Sequence, residues 1–350
     1  MRVVVLGASG NAGTALLRAL EADGRVDEVV AVARRPPARW SSAKVTWRAL
    51  DVVDGSLHDV MRGAHVVVHL AWQIQPARDR ATTRAANVDG SRRVLAAVAR
   101  AGVPALIYAS SVGAYSRGPK DRAVDESWPT GGTPTSFYSR DKVEVERMLD
   151  GFELERSAVR VVRLRPGLIF QRGAASEIRR LFAGPLLPSR LVARERIAVV
   201  PRHARLRFQV VHADDVADAY RRAILNPDAR GAFNVAAEPV LDGVTIARLL
   251  GARPVPVPGA LIRVGAAAAY RARFTPTPPG WVDMALAVPL MDTGRAREVL
   301  DWRPRRDAGS TLVELLDGLQ AEAGAPTTTL LPGGSRLREV RSGLGARLEP

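Results

Sequence analysis

The sequence contains no cysteine. That excludes disulfides and thiolate zinc sites, and it suits a reducing compartment. No apolar run reaches membrane-spanning length. The longest candidate, around residues 260–270, is short and carries Arg263. The run at 3–6 is too short for the apolar region of a signal peptide and passes straight into a glycine turn. A cytoplasmic protein without a membrane partner is the expectation. Lysine is scarce, standing only at 44, 120 and 142, yet the formal net charge is +15, so arginine carries the charge. The arginines are scattered and form no basic stripe interleaved with aromatics, so nucleic acid is not an expected partner. His65 and His69 fall at the two ends of a strand rather than on one helix face, and no metal site is expected. No internal repeat is visible.

What is present is ample apolar residue, 47% of 350 positions, enough for a sizeable core in one large domain or two. Strand and helix patterns alternate. Strands are predicted at 2–6, 28–33, 45–50, 66–71, 105–109 and 159–164, and helices at 82–101 and 136–151. Repeated βα units with short connections imply an α/β fold, a Rossmann-type doubly wound parallel sheet. After Pro166 the pattern loosens through an arginine- and proline-rich stretch. It returns as a strand at 208–211, a helix at 214–225 and a strand at 232–236, with later helices at 282–290 and 311–319. The expected organisation is a dinucleotide-binding domain from 1–170 plus 207–238, and a smaller discontinuous substrate domain from 171–206 plus 239–325. Residues 326–350, rich in Thr, Gly and Arg, read as a disordered tail.

The chain is organised around its first βα turn, Gly7-Ala8-Ser9-Gly10-Asn11-Ala12-Gly13. Gly7 permits a tight turn, Gly10 lets a pyrophosphate approach the backbone, and Gly13 lets the helix pack close to the strand. The N–H groups of the helix start then face the anion. Ser9 and Asn11, within the turn, join the glycines as cofactor-binding candidates. The second strand ends in Ala33-Arg34-Arg35, where an acidic residue would bind a ribose 2′-hydroxyl. Two guanidinium groups in its place suit a 2′-phosphate. The expected cofactor is therefore NAD(P), with NADP slightly favoured over NAD.

Tyr138 and Lys142 stand four apart and share a helix face. A nearby cation favours the phenolate, which would make Tyr138 a general acid or base near neutral pH. Ser111, at the end of the fifth strand, can hydrogen-bond a substrate oxygen beside it. The arginines between 172 and 207 suit either a phosphorylated substrate or a solvated face.

With these residues in view, the chain over about 1–320 resembles the extended short-chain dehydrogenase/reductase superfamily, in its NAD-dependent epimerase/dehydratase branch. The glycine turn matches the family's phosphate turn. Asp51-Val52 matches the adenine-contacting segment, and His69-Leu70-Ala71 sits where the family lines its cofactor cleft. Asn87-Val88-Asp89-Gly90 is similar to the family's Asn-Val-x-Gly, whose asparagine supports a proton relay. Ser111, Tyr138 and Lys142 match the catalytic set, and Arg165-Pro166-Gly167 the strand end near the nicotinamide. His212-Ala213-Asp214-Asp215-Val216-Ala217 resembles the family's His-Val-Asp-Asp-Val-Ala. Met291-Asp292-Thr293 and Leu300-Asp301-Trp302-Arg303-Pro304 resemble the C-terminal pattern of sugar epimerases.

The resemblance implies catalytic Ser111, Tyr138 and Lys142, and a cofactor held by Gly7, Ser9, Gly10, Asn11, Gly13, Arg34, Arg35, Asp51, Val52, Leu70, Ala71, Asn87, Tyr138, Lys142 and Pro166. It implies an epimerase or a dehydrogenase/reductase acting on a small molecule, phosphorylated or nucleotide-linked among the options, with a homodimer as one arrangement. A non-catalytic NADP-binding redox sensor is the alternative. Two departures matter. Ser111 is followed by Val112-Gly113-Ala114 rather than by the Asp-Glu pair of dehydratases, which argues against water elimination. Phe208 stands where nucleotide-sugar enzymes carry a diphosphate-binding arginine, with Arg207 one residue away.

Overall fold

Val3, Val4, Val5 and Leu6 are all fully buried, as a strand covered on both faces by helices must be. Their side chains alternate between two cores. Val3 and Val5 join one cluster, Val4 and Leu6 the other. The computed structural model describes residues 1–75, 78–184 and 196–332. In chain order its strands are β1 (Arg2–Leu6), β2 (Glu28–Ala33), β3 (Val45–Ala49), β4 (Val66–His69), β5 (Ala105–Ala109), β6 (Ala123–Val124), β7 (Arg160–Pro166) and β8 (Leu168–Phe170). They continue with β9 (Val199–Arg202), β10 (Arg207–His212), β11 (Gly231–Val235), β12 (Ala237–Asp242), β13 (Arg253–Pro256) and β14 (Leu290–Met291).

The helices are α1 (Asn11–Glu21), α2 (Leu57–Met61), α3 (Arg80–Arg84), α4 (Gly90–Arg100), α5 (Phe137–Glu155) and α6 (Ala175–Ile178). Then come α7 (Ala213–Leu225), α8 (Gly243–Leu250), α9 (Gly259–Arg271), α10 (Gly280–Ala287), α11 (Gly294–Leu300) and α12 (Ala308–Gln320).

Seven strands form one parallel sheet in the order β11-β7-β5-β4-β1-β2-β3. Apolar side chains of α1 and α7 cover one face, and those of α4 and α5 the other. The order reverses between β1 and β4, which opens a crevice at the carboxyl ends of those strands. Three small sheets flank it: β12-β10-β8, β13-β9 and β14-β6.

Several elements differ from the sequence reading. The long helix expected over 82–101 is interrupted by a wide π turn, Ala85–Asp89, which carries the fully buried Asn87 inward. The helix expected over 282–290 ends at Ala287. Val288, which precedes Pro289, is extended (φ −55°, ψ 143°), and Leu290 pairs with Ala123. The proline-rich flanks at 254–258 and 276–280 bracket a 13-residue helix, α9, instead of fragmenting the chain.

The expected domain boundaries are crossed twice. β10 pairs with β8 and β12 rather than joining the main sheet. Ala296, Leu300 and Trp302 pack into the main-sheet core, and the Trp302 indole N–H donates to the Asp215 carbonyl at 2.8 Å.

The disordered tail expected from 326 is corrected as far as 332. Thr327, Thr329 and Leu330 are buried to within 2% exposure against the body of the protein. Residues 333–350 lie outside the described residues.

Candidate active site

Three glycines shape the start of the crevice, each for a different steric reason. Gly7 has φ +81°, a conformation that L side chains rarely adopt, and a Cβ there would lie 2.6 Å from the Ala71 nitrogen. A Cβ on Gly13 would lie 2.5 Å from the Gly7 carbonyl oxygen. Around Gly10 the nearest atom would be 3.5 Å away, so this position leaves room on the cleft side. Gly10 caps α1 with no side-chain hydrogen bond, so the helix's first N–H groups face the cleft together with the positive end of its dipole. Asn11 is pinned to the opposite wall. Its amide donates to the Ile169 carbonyl at 3.0 Å and accepts from Gln171 at 2.6 Å.

From this turn the cleft runs in two directions. One end is bounded by Arg34, Arg35, Asp51 and Val52, with the Arg34 Nε 3.9 Å from an Asp51 carboxylate oxygen. The other passes Leu70, Ala71 and Pro166 to Ser111, Tyr138 and Lys142. Every expected site residue lines this cleft except Asn87. Asn87 stands behind the wall, its amide accepting from the Gln73 N–H at 2.7 Å and donating to the Gln73 carbonyl at 2.9 Å. It shapes the loop after β4.

Ser136 starts α5, its hydroxyl accepting the Ser139 N–H, and so sets Tyr138 in the first turn and Lys142 one turn on. The Ser111 hydroxyl accepts the Gly113 N–H at 3.0 Å and lines the same cleft as the Tyr138 phenol. Gly113 is needed here, because a Cβ would come within 2.9 Å of the phenol ring.

The expected effect of Lys142 on Tyr138 is corrected. Burial pushes the Tyr138 phenol up to about 12, against a smaller downward pull from Ser111. The Lys142 ammonium donates to the Ala109 carbonyl at 2.6 Å and lies 3.5 Å from the centre of the Trp72 ring. Burial holds the pKa of Lys142 well below the ordinary lysine range, against the pull of Glu146 and Asp141.

One turn beyond Lys142, Glu146 is 1% exposed and collects hydrogen bonds from Ser110, Arg163 and both arms of Arg165. This network braces the end of β5, where Ser110 and Ser111 leave the sheet.

The sequence reading missed the residues that face Tyr138. Trp281, from α10, stacks on it at 4.8 Å between ring centres, and Trp72 meets it edge-on at 5.9 Å. Phe182 closes the group edge-on to Trp281 at 4.9 Å. Trp72 adjoins the expected Leu70-Ala71, but nothing local marks Trp281 or Phe182. Of the arginines expected between 172 and 207, several are engaged with backbone rather than facing the cleft, while Arg180 donates to the cleft-lining Thr329. Arg179, Arg205 and Arg207 donate to backbone carbonyls. Positions 190 and 194 lie outside the described residues. Among the described residues, the cations along the cleft are Arg34, Arg35 and Lys142.

The sequence model of the NAD-dependent epimerase/dehydratase family matches residues 3–236. The chain belongs to this family. An uncharacterized protein of Mycobacterium tuberculosis is 30% identical over 326 residues, which is 93% of this chain but 31% of that protein. The chain thus spans less than a third of that relative. Sterol-4-alpha-carboxylate 3-dehydrogenase of Saccharomyces cerevisiae is 33% identical over 110 residues, 31% of each chain. In fold, the chain is similar to the Thermus thermophilus UDP-glucose 4-epimerase solved with NAD. That likeness has a TM-score of 0.65 and 21% identity, and covers 91% of this chain and 99% of the other. The family match and the solved structure agree on a Rossmann-like parallel sheet. Among the described residues no helix is long and apolar enough to cross a membrane.

Proposed function

We propose that the chain is an NAD(P)-dependent oxidoreductase that acts on a hydroxyl or carbonyl carbon of an apolar, ring-bearing small molecule. The observation that carries this reading is the setting of Tyr138. Its phenol lines the same cleft as Ser111 and the open start of α1, and is flanked by Trp72 and Trp281.

The residues present fit a dinucleotide. The uncapped helix start would hold the diphosphate, the Arg34–Arg35 pair a ribose 2′-phosphate, and Lys142 the nicotinamide ribose. The bound nicotinamide supplies or accepts the hydride. Tyr138, neutral because burial holds its pKa near 12, gives its proton to a substrate carbonyl oxygen, which Ser111 orients. Lys142 and Glu146 hold the end of β5 in register with that oxygen.

The walls around the phenol favour an apolar substrate over a nucleotide-sugar. Phe208 packs into the core of the small β12-β10-β8 sheet, and Arg207 donates to the Lys120 carbonyl, so neither faces the cleft as a diphosphate ligand. The name of the yeast relative, a sterol carboxylate dehydrogenase, agrees with an apolar ring system.

The test is turnover of a substrate panel, followed by the reduced nicotinamide absorbance. Bicyclic and steroidal ketones are expected to be reduced with NADPH, while UDP-glucose and UDP-galactose are neither oxidised nor interconverted. Activity confined to the UDP-sugars would overturn the substrate reading and restore the epimerase.

A further inference from the structure

Residues 327–330 lie some way beyond the stretch matched by the family, which ends at 236. They nevertheless meet the two most diagnostic parts of the cofactor cleft. The Thr329 hydroxyl is 2.9 Å from the Ser9 hydroxyl, and the Thr327 hydroxyl donates to the Ser9 carbonyl at 2.8 Å. The Thr328 hydroxyl donates to the Arg35 carbonyl at 2.7 Å. Three consecutive threonines therefore tie the glycine turn to the end of β2. Thr328 and Thr329 also line the cleft itself, alongside Gly10 and Arg35.

The segment is anchored on its far side too. Arg180 donates to the Thr329 carbonyl at 2.7 Å, and Ser176 bonds the chain just upstream at Ala323 and Glu322. Its own turn is closed by the Leu330 N–H on the Thr327 carbonyl and by the Ala325 N–H on the Leu330 carbonyl. Leu330 is fully buried. This strap joins the diphosphate side of the crevice to the wall that carries α6.

We propose that Thr327–Leu330 is part of the dinucleotide site and retards release of the bound nucleotide. The inference rests on the cofactor reading above. The Thr329 hydroxyl, paired with Ser9, is a hydrogen-bond donor beside the open helix start. It stands ready to turn from one hydroxyl to a diphosphate oxygen. Thr328 fixes the Arg35 backbone, and so presents the guanidinium pair to the adenosine ribose. An edge that is already ordered needs little further ordering when nucleotide binds. Its undocking is then a step that dissociation must wait for.

The test uses the full chain and NADPH. Stopped-flow displacement of bound NADPH by excess NADP gives the dissociation rate for wild type, Thr328→Val, Thr329→Val and Thr329→Ser. Valine keeps the shape of threonine and removes only the hydroxyl. Each valine variant is expected to release NADPH about fivefold faster, the equivalent of one lost hydrogen bond. Association rate and melting temperature should stay near wild type, and Thr329→Ser should restore slow release. In wild type, NADPH should slow amide hydrogen exchange in 326–332.

Three results would overturn the proposal. Release rates equal to wild type in both valine variants would make the strap mere packing. Slower release or tighter binding in those variants would make it a competitor of the nucleotide. If wild type binds neither NADPH nor NADH, the cofactor reading fails, and the strap's role with it.

Discussion

The Lys142 ammonium lies 3.5 Å from the centre of the Trp72 ring but 5.8 Å from that of Tyr138. An indole face and the Ala109 carbonyl hold it, not the phenol one helical turn before it. The phenol proposed here as the acid/base group is held up to about 12 by burial, with the Lys142 ammonium directed elsewhere.

With its pKa raised to about 12, Tyr138 should serve as a proton donor at neutral pH on the proposed reading. In the reductive direction, kcat/KM should be flat through neutral and mildly alkaline pH, falling only as pH nears about 12. In the oxidative direction the same group must act as a base, so the rate should rise with pH. Tyr138→Phe should lower kcat by about 10²- to 10⁴-fold while NADPH affinity stays within about twofold of wild type. Unchanged turnover in this variant would remove Tyr138 from the chemistry and leave a nucleotide-binding sensor as the better description.

The Arg34–Arg35 pair should set nucleotide choice. Titration of the purified protein by fluorescence is expected to give tighter binding of NADPH than of NADH. Arg35→Ala should cost NADPH about 1.5–3 kcal/mol, the worth of a charge-assisted hydrogen bond, and leave NADH nearly unchanged. Equal losses for the two nucleotides would show that Arg35 does not read the 2′-phosphate.

Glu146 should carry stability rather than chemistry. Arg165 and Arg163 hold its carboxyl down to about 2, against burial, which pushes the other way. A folded pKa below the unfolded one gives stability that is fully present above about 4.5 and is lost as pH falls through about 2. Glu146→Gln leaves the buried Arg165 guanidinium without its carboxylate, while Arg163 keeps Asp150 and Glu153, and should cost about 3 kcal/mol at neutral pH. Urea unfolding checks this. The gap between variant and wild type should narrow as pH is lowered towards 2, and a gap independent of pH would refute the linkage.

How much of the site was legible depends on how local each part is. Gly7, Gly10 and Gly13 lie in one strand–turn–helix, where backbone sterics act over a few residues, so their roles could be read directly. Ser111, Tyr138 and Lys142 could be placed near one another because a strand end and the helix start that follows it lie on one side of a parallel sheet. The setting of Tyr138 was not legible. Helical spacing puts Lys142 on the same face, but the ammonium's direction is chosen by Trp72, in the loop after β4, and by Ala109, at the end of β5. Trp281 and Phe182 come from segments more than forty positions away, and no local pattern marks either as part of the site.

The sequence by itself determined the parallel α/β sheet and the glycine turn, and it placed Ser111, Tyr138 and Lys142 near one another. Apolar periodicity and glycine geometry are short-range properties of a chain. Only the tertiary structure decided that the phenol is buried, that indoles rather than arginines flank it, and that Thr327–Thr329 reach Ser9 and Arg35. Burial, ring packing and hydroxyl pairing across 320 positions, as between Ser9 and Thr329, exist only once distant segments have been brought together.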